Sequence, residues 1–300
     1  MEHSPRALAE AKSRLGLTIS VCLPARNEES TVGHIVATVR RELVDRAGLV
    51  DEVIVLDDGS TDTTADAARW EGAVVHAVGD VLPATGPGWG KGNALWKSLY
   101  ASEGDLVCWV DADVRNFKAS FVTRLLAPLI DDPAIGFVKG YYRRPLEAQP
   151  TGGGRVTELL ARPLLSALFP HLAHFVQPLA GEYAGRRELL ERVPFVEGWG
   201  VELALLIDLG AEFGVDTIAQ RDLGVREHRN RPLDELAPQA MEVLLTGLRR
   251  AGLPPTLISN TLMRFDDQHL PQPIALDIRE RPPMLTIPAY RAKFGRELTA

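Results

Sequence analysis

Four short apolar runs, rich in β-branched residues and each closed by polar turn residues, constrain this chain more than any other feature. They cover residues 18–23 (TISVCL), 53–56, 73–77 and 106–110. Amphipathic stretches at 31–47, 63–71, 93–103 and 119–130 follow them in turn. A continuous apolar run of this length suits a strand buried on both faces, and apolar residues three and four apart suit a helix packed along one side. The alternation predicts βαβ units, hence an α/β fold whose mostly parallel central sheet carries helices on both faces. Right-handed crossovers then bring every strand's C-terminal end to one rim, where open α/β sheets bind ligands.

The rhythm changes after residue 142. Residues 155–168 read as a helix weakened in its middle by Pro163, and 234–250 as a second amphipathic helix. Beyond Gly252, Pro254, Pro255, Pro271, Pro273, Pro282, Pro283 and Pro288 predict an extended arm and no second core. Leu257, Ile258, Met263 and Phe265 in that arm suggest contact with a neighbouring copy and a homodimer. A net charge of -7 argues against nucleic acid as a partner, since phosphate backbones are bound by clustered cations. The two cysteines, Cys22 and Cys108, each sit inside an apolar run and read as small buried hydrophobes in a reducing compartment. The first residues lack the apolar centre of a signal peptide, and no stretch approaches the roughly 18 apolar residues of a membrane span. The expectation is a soluble cytoplasmic protein with no membrane partner.

Three polar segments fall at expected strand ends. Pro24-Ala25-Arg26-Asn27-Glu28-Glu29 follows the first run, and Asp57-Asp58-Gly59-Ser60-Thr61-Asp62 the second. Either could be helix-capping chemistry; on a ligand-binding rim they would face a nucleotide. Asp111-Ala112-Asp113 follows the fourth run. Carboxylates at i and i+2 of an extended segment point to opposite sides. A turn there would let one meet a divalent cation and the other a ribose or metal-bound water, oxygen ligands being preferred by Mg²⁺ and Mn²⁺. The stretch Gly86-Pro87-Gly88-Trp89-Gly90-Lys91-Gly92 fails as a phosphate loop, because Gly92 stands where Ser or Thr is needed. It reads either as an exposed turn or as a mobile loop delivering Lys91.

The second half adds cations. Gly152-Gly153-Gly154-Arg155-Val156-Thr157 places amides, a guanidinium and a hydroxyl at a helix start, which suits an anion. Trp199-Gly200-Val201-Glu202 sets a carboxylate after a glycine turn. Arg226-Glu227-His228-Arg229-Asn230-Arg231 is either a solvated charge run or a site for an anion or metal-bound diphosphate.

Together these segments resemble retaining glycosyltransferases of the GT-A fold, and within them the actinobacterial glucosyl-3-phosphoglycerate and mannosyl-3-phosphoglycerate synthase family. The resemblance spans residues 18–236. It rests on LPARNEE, LDDGSTD, GKGNALWKSL, DADV, YYRRPL, ARPLL, QPLAGEYA and GVELALLID, and most narrowly on TGGGRVTEL and LGVREHRNRPLDEL. It implies one GT-A (Rossmann-like) domain over 1–300: a nucleotide-sugar half at 14–145, an acceptor half at 146–250 and the arm at 251–300. The implied reaction moves glucose or mannose, with retention, from a UDP- or GDP-sugar to the 2-hydroxyl of 3-phosphoglycerate, a step toward glucosylglycerate or mannosylglycerate. By position, Pro24, Ala25, Arg26, Glu28, Asp58 and Lys91 would line the nucleotide pocket, with Asp111 and Ala112 at the ribose or donor. Asp113 and His228 would hold Mg²⁺, Mn²⁺ or Co²⁺, with Arg226 near the diphosphate. Gly154, Arg155, Thr157 and Asn230 would bind 3-phosphoglycerate. Glu202 would meet the donor sugar's hydroxyls, and the catalytic set is Glu202, Asp113 and Arg226. The glucosyl enzymes carry an apolar residue in place of Arg26 and Ser in place of Asp58. An acidic Asp58 can accept from guanine N1–H and N2–H₂, which hints at a guanosine donor.

Three other readings share parts of this pattern. An inverting GT-A enzyme loading polyprenyl phosphate would favour a membrane anchor. A nucleotidylyltransferase would need an N-terminal glycine-rich phosphate loop. A non-catalytic nucleotide-sugar binder would bind without turnover.

Overall fold

The computed structural model describes residues 4–146, 149–152, 154–227 and 232–297. The chain opens with α1 (Pro5–Leu15), an element the sequence pattern does not announce, its N-terminus capped by Ser4 Oγ, which accepts the Ala7 N–H at 3.2 Å. The predicted alternation follows: β1 (Ile19–Ala25), α2 (Val32–Val39), β2 (Glu52–Asp57), α3 (Thr64–Trp70), β3 (Val74–Ala77), α4 (Gly90–Ala101), β4 (Leu106–Trp109) and α5 (Ala119–Asp131). The helix expected over 31–47 is α-helical only in its first half and continues as wider π turns over Arg40–Asp45.

The second half adds β5 (Phe137–Arg143), the short pair β6 (Pro145–Leu146) and β7 (Gln149–Gly152), and α6 (Arg162–Leu168). Pro163 does not break the 155–168 helix. π turns over Thr157–Ala161 precede α6 and put Pro163 in its first turn, where a missing N–H costs little. Then come β8 (Tyr183–Arg186), α7 (Arg187–Leu190), β9 (Phe195–Val196), α8 (Val201–Phe213), β10 (Ile218–Val225) and α9 (Leu233–Arg250).

The central sheet has seven strands in the order β10-β5-β8-β4-β1-β2-β3. All its pairings are parallel except those of β8, which runs antiparallel between β4 and β5. Alternate residues of the central strands feed two separate cores, as strands covered on both faces require. Val21, Leu23, Val53, Val55 and Cys108 pack with α1, α2 and α5, while Cys22, Ile54, Leu56, Val107 and Trp109 pack with α4, α6 and α8. The two cysteines therefore lie on opposite faces as buried free thiols, and burial pushes the Cys22 thiol up to about 12.

After α9 the chain forms an exposed hairpin, β11 (Thr261–Phe265) with β12 (Pro271–Ala275). The rest of the expected arm returns to the body. β13 (Glu280–Arg281) pairs with β9, and α10 (Pro288–Phe294) follows. Met284 and Tyr290 are fully buried in the core beside α4 and α8. The scattered prolines suggested an extended path throughout. They do not reveal that apolar side chains between them dock on this chain's own core. No described helix is long and apolar enough to cross a membrane.

Candidate active site

Parallel register sets the rim. Ala25 lies opposite Asp57 and Cys22 opposite Trp109, so β1, β2 and β4 end side by side. The chain leaves these strands in three turns that brace one another. Asn27, in the left-handed conformation with φ 56°, donates its N–H to Ser60 Oγ (3.0 Å) and accepts the Thr61 N–H on Oδ1 (2.8 Å). Glu29 accepts from the Thr63 N–H and hydroxyl. Thr31 Oγ1 donates to the Ala112 carbonyl at 2.6 Å, fixing the turn between Asp111 and Asp113. Asn27 and Glu29 thus hold the rim together, while Glu28 and Asp58 face the cavity it encloses.

That cavity holds about 440 Å³. It is lined by Pro24, Ala25, Arg26, Glu28, Asp58, Lys91, Asp111, Ala112 and Asp113 from the first half, and by Gly154, Arg155, Thr157, Glu202 and Arg226 from the second. Every described residue to which the resemblance gives a site role is among them, whereas Asn27, Glu29, Asp57 and Asp62 of the same segments are not. His228 and Asn230 lie outside the described residues.

A continuous charge network forms the floor. Arg226, 3% exposed at the end of β10, donates from Nε to Glu182 Oε1 (2.8 Å) and from Nη2 to Asp111 Oδ2 (2.8 Å) and Asp113 Oδ1 (2.7 Å). One guanidinium fork therefore gathers both aspartates to one side, because the chain turns immediately after β4. Lys91 Nζ bridges Asp111 and Glu202 Oε1, the latter at 2.7 Å. Burial favours a neutral Asp111, yet Lys91 and Arg226 hold it well below the usual carboxylate range. Burial likewise opposes a charged Lys91, and Asp111 and Glu202 push it well above its ordinary value. A side chain at Gly181 would place its Cβ 2.2 Å from Asp111 Oδ2 and 2.5 Å from Lys91 Nζ, so this contact requires glycine.

The Lys91 loop is neither an exposed turn nor a free arm. Its Gly90 N–H donates to Asp58, whose carboxyl burial raises against the opposing charge of Arg26. Arg226 is likewise no part of a solvated charge run. Beneath Glu202 lies a group the sequence reading missed. Lys139 is 2% exposed, donates to the Ala180 carbonyl at 2.8 Å and is lowered to about 7 by burial. Glu182 was also missed, although it stands inside the QPLAGEYA segment. A lone carboxylate among small and apolar residues of that segment was the available signal.

Four carboxylates (Asp111, Asp113, Glu182 and Glu202) share the direct contacts of two cations, Lys91 and Arg226. Asp111 and Asp113 line the cavity and offer the carboxylate oxygens that a hard divalent cation prefers. No group of three or more His, Cys, Asp or Glu among the described residues could hold one unaided. A cation at Asp113 would need oxygen ligands from a bound diphosphate, and the cavity has room for one.

Residues 20–192 match the model of glycosyl transferase family 2. A glucosyl-3-phosphoglycerate synthase of Petrotoga mobilis is 43% identical over 97% of this chain and 94% of its own length. One of Mycolicibacterium smegmatis is 48% identical over 92% and 91%. The solved glucosyl-3-phosphoglycerate synthase of Mycobacterium tuberculosis in complex with Mn²⁺, UDP-glucose and phosphoglyceric acid superposes with a TM-score of 0.86 at 46% identity, covering 95% of each chain. The same enzyme has been solved with Mn²⁺, UDP and glucosyl-3-phosphoglycerate. The seven-stranded, mostly parallel sheet is accordingly a GT-A fold, and the chain belongs to glycosyl transferase family 2, within its glucosyl-3-phosphoglycerate synthase family.

Proposed function

We propose that this protein transfers glucose from UDP-glucose to the 2-hydroxyl of 3-phosphoglycerate, with retention, using a divalent cation. The observation that carries this reading is the rim cavity in which a strand-end carboxylate pair, the cations Lys91 and Arg226, and the Gly154–Arg155–Thr157 helix start converge. The relatives named above act on glucose, and one is solved with UDP-glucose. This favours glucose over mannose and uridine over guanosine. Asp58 fits that choice, since a carboxylate accepts from uracil N3–H as readily as from guanine.

In this reading Pro24, Ala25, Arg26, Glu28 and Asp58 hold the base and ribose, and Lys91, Asp111 and Ala112 flank the donor. Asp113 and His228 hold the cation, which neutralises the charge developing on the departing diphosphate. Arg226 orients Asp113 and adds positive charge near the diphosphate. Arg155 and Thr157, with the Gly154 backbone and Asn230, hold the acceptor's phosphate and carboxylate.

The acceptor wall supports front-face attack. Among the described residues that line the cavity from the second half of the chain, Glu202 is the one carboxylate. An inverting reaction needs a base opposite the leaving group. Glu202 has Oε1 committed to Lys91, which suits an orienting acceptor for sugar hydroxyls. The departing diphosphate oxygen then takes the acceptor's proton. The buried free thiols fit a cytoplasmic setting, and the exposed Met263 and Phe265 of the hairpin fit a homodimer. Turnover of 3-phosphoglycerate with UDP-glucose, GDP-glucose and GDP-mannose, each with Mn²⁺ and with chelator, tests the proposal. The highest kcat/KM is expected with UDP-glucose. A preference for GDP-mannose would overturn the donor assignment, and binding without turnover would overturn the enzyme reading.

A further inference from the structure

The loop that delivers Lys91 has no strand ladder of its own, and its carbonyls are gripped from the far end of the chain. Arg281, in β13, is 8% exposed and does not line the cavity. Its Nη1 donates to the Thr85 carbonyl (2.6 Å), its Nη2 to the Gly86 carbonyl (3.3 Å) and its Nε to Asn93 Oδ1 (2.9 Å). Asn93 in turn donates from Nδ2 to the Pro87 carbonyl at 3.0 Å. The buried Glu197 pairs with the same guanidinium at 2.7 Å, and the guanidinium lies over the Trp96 ring.

The fit around this group is tight. A Cβ at Gly88, where φ is +62°, would fall 2.0 Å from Arg281 Nη2 and 2.2 Å from Asn93 Oδ1. Residues 85–88 are therefore wrapped directly on the guanidinium and Asn93. The next residues, Trp89, Gly90 and Lys91, line the cavity. A planar fork that serves two carbonyls, an amide oxygen and a carboxylate at once cannot be reproduced by an ammonium. Lys97 shares the Gly86 carbonyl at 3.3 Å from the α4 side, so the loop is held from two directions.

We infer that Arg281 is a positioning residue for donor binding. It lies beyond the residues 20–192 that match the family 2 model, and it holds the 85–89 loop so that Lys91, in the first turn of α4, meets Asp111 and Glu202. This rests on the reading of Lys91 as part of the nucleotide-sugar pocket. The C-terminal segment is thereby a working part of the donor site.

The test uses Arg281→Lys, which keeps a positive charge beside Glu197 and loses the fork. Hydrogen exchange of the free protein should show the 83–93 peptide exchanging roughly tenfold faster or more, with peptides from β1 and β2 unchanged. UDP affinity by calorimetry with Mn²⁺ should fall roughly tenfold, and donor KM should rise to match, while acceptor KM stays within about twofold. If Arg281→Lys does not fold, the paired R281Q/E197Q variant leaves no buried charge unpaired and should give the same loop-confined loss. Unchanged exchange of 83–93 would overturn the inference. So would a faster-exchanging loop with unchanged UDP affinity, since the grip would then serve the fold alone. A wild-type protein that binds no UDP would overturn the nucleotide-sugar reading, and with it the donor role of Arg281. In that case the exchange result still decides whether Arg281 orders the loop.

Discussion

Glu242→Gln should stabilise this protein at alkaline pH and do little at acid pH. Glu242 sits on α9, is 4% exposed, and accepts the Trp199 N–H on Oε2 at 2.7 Å. Burial pushes its carboxyl from 4.5 up to about 7, a rise only partly offset by that one N–H. A carboxyl whose value is raised on folding binds its proton more tightly in the native state. Stability from this group is thus complete below the unfolded value of 4.5, declines as pH rises, and is lost above about 7. At about 1.4 kcal/mol per pH unit, the ionised group costs about 3 kcal/mol at pH 8 and below about 1 kcal/mol at pH 5. A glutamine keeps the acceptor for Trp199 and never ionises. Urea unfolding should therefore show E242Q more stable than the parent by about 2–3 kcal/mol at pH 8, with most of the gain gone at pH 5. Trp199 lines the cavity from the Gly198–Gly200 turn that leads to Glu202, and because glutamine still accepts its N–H, donor KM should stay nearly unaltered. An equal gain at both pH values, or a loss at pH 8, would refute the argument, because the ionised carboxylate would then have a partner that stabilises it.

Four further outcomes are expected. Asp113→Ala, His228→Ala or chelation should abolish turnover while leaving the fold intact by circular dichroism; full activity in chelator would refute the metal assignment. Arg155→Ala removes a charge-assisted contact of about 1.5–3 kcal/mol, so acceptor KM should rise roughly ten- to a hundred-fold with donor affinity unchanged. Proton NMR of the first product should show an α-anomeric signal from an α-linked donor, and a β signal would return Glu202 to the role of base. Charge at the exposed hairpin, as in Phe265→Asp with Met263→Asp, should shift the species seen by light scattering toward the monomer. Unchanged dimer would remove the hairpin from the interface. Truncation at Gly252 is a poorer test, because it strips the buried Met284 and Tyr290 from the core.

Local chemistry made much of this protein legible. Runs such as TISVCL suit strands covered on both faces, and β1, β2 and β4 with the helices after them follow that pattern, whereas the similar run at 73–77 forms the partly exposed edge strand β3. Parallel strands share a C-terminal rim, so the acidic and basic segments at their ends had to assemble there. Elements without a period were not legible. α8 is buried almost all round over its first ten residues, so it shows no amphipathic period, and the sequence marks only the glycine turn before Glu202. The insertion of β8 antiparallel between β4 and β5 also leaves no local mark. The partnerships belong to tertiary structure entirely. Asp111 and Asp113 stand on one side because a turn after β4 and the guanidinium of Arg226, from the far end of the sheet, bring them together. Neither Glu182, although inside QPLAGEYA, nor Arg281 announces its role, since its meaning is the group it touches: one orients Arg226, the other grips the loop before Lys91. Residue type and spacing specify which backbone a segment adopts and which chemistry it can offer. Which charges meet is decided only when burial removes water and leaves each buried ion to find its partner across the fold.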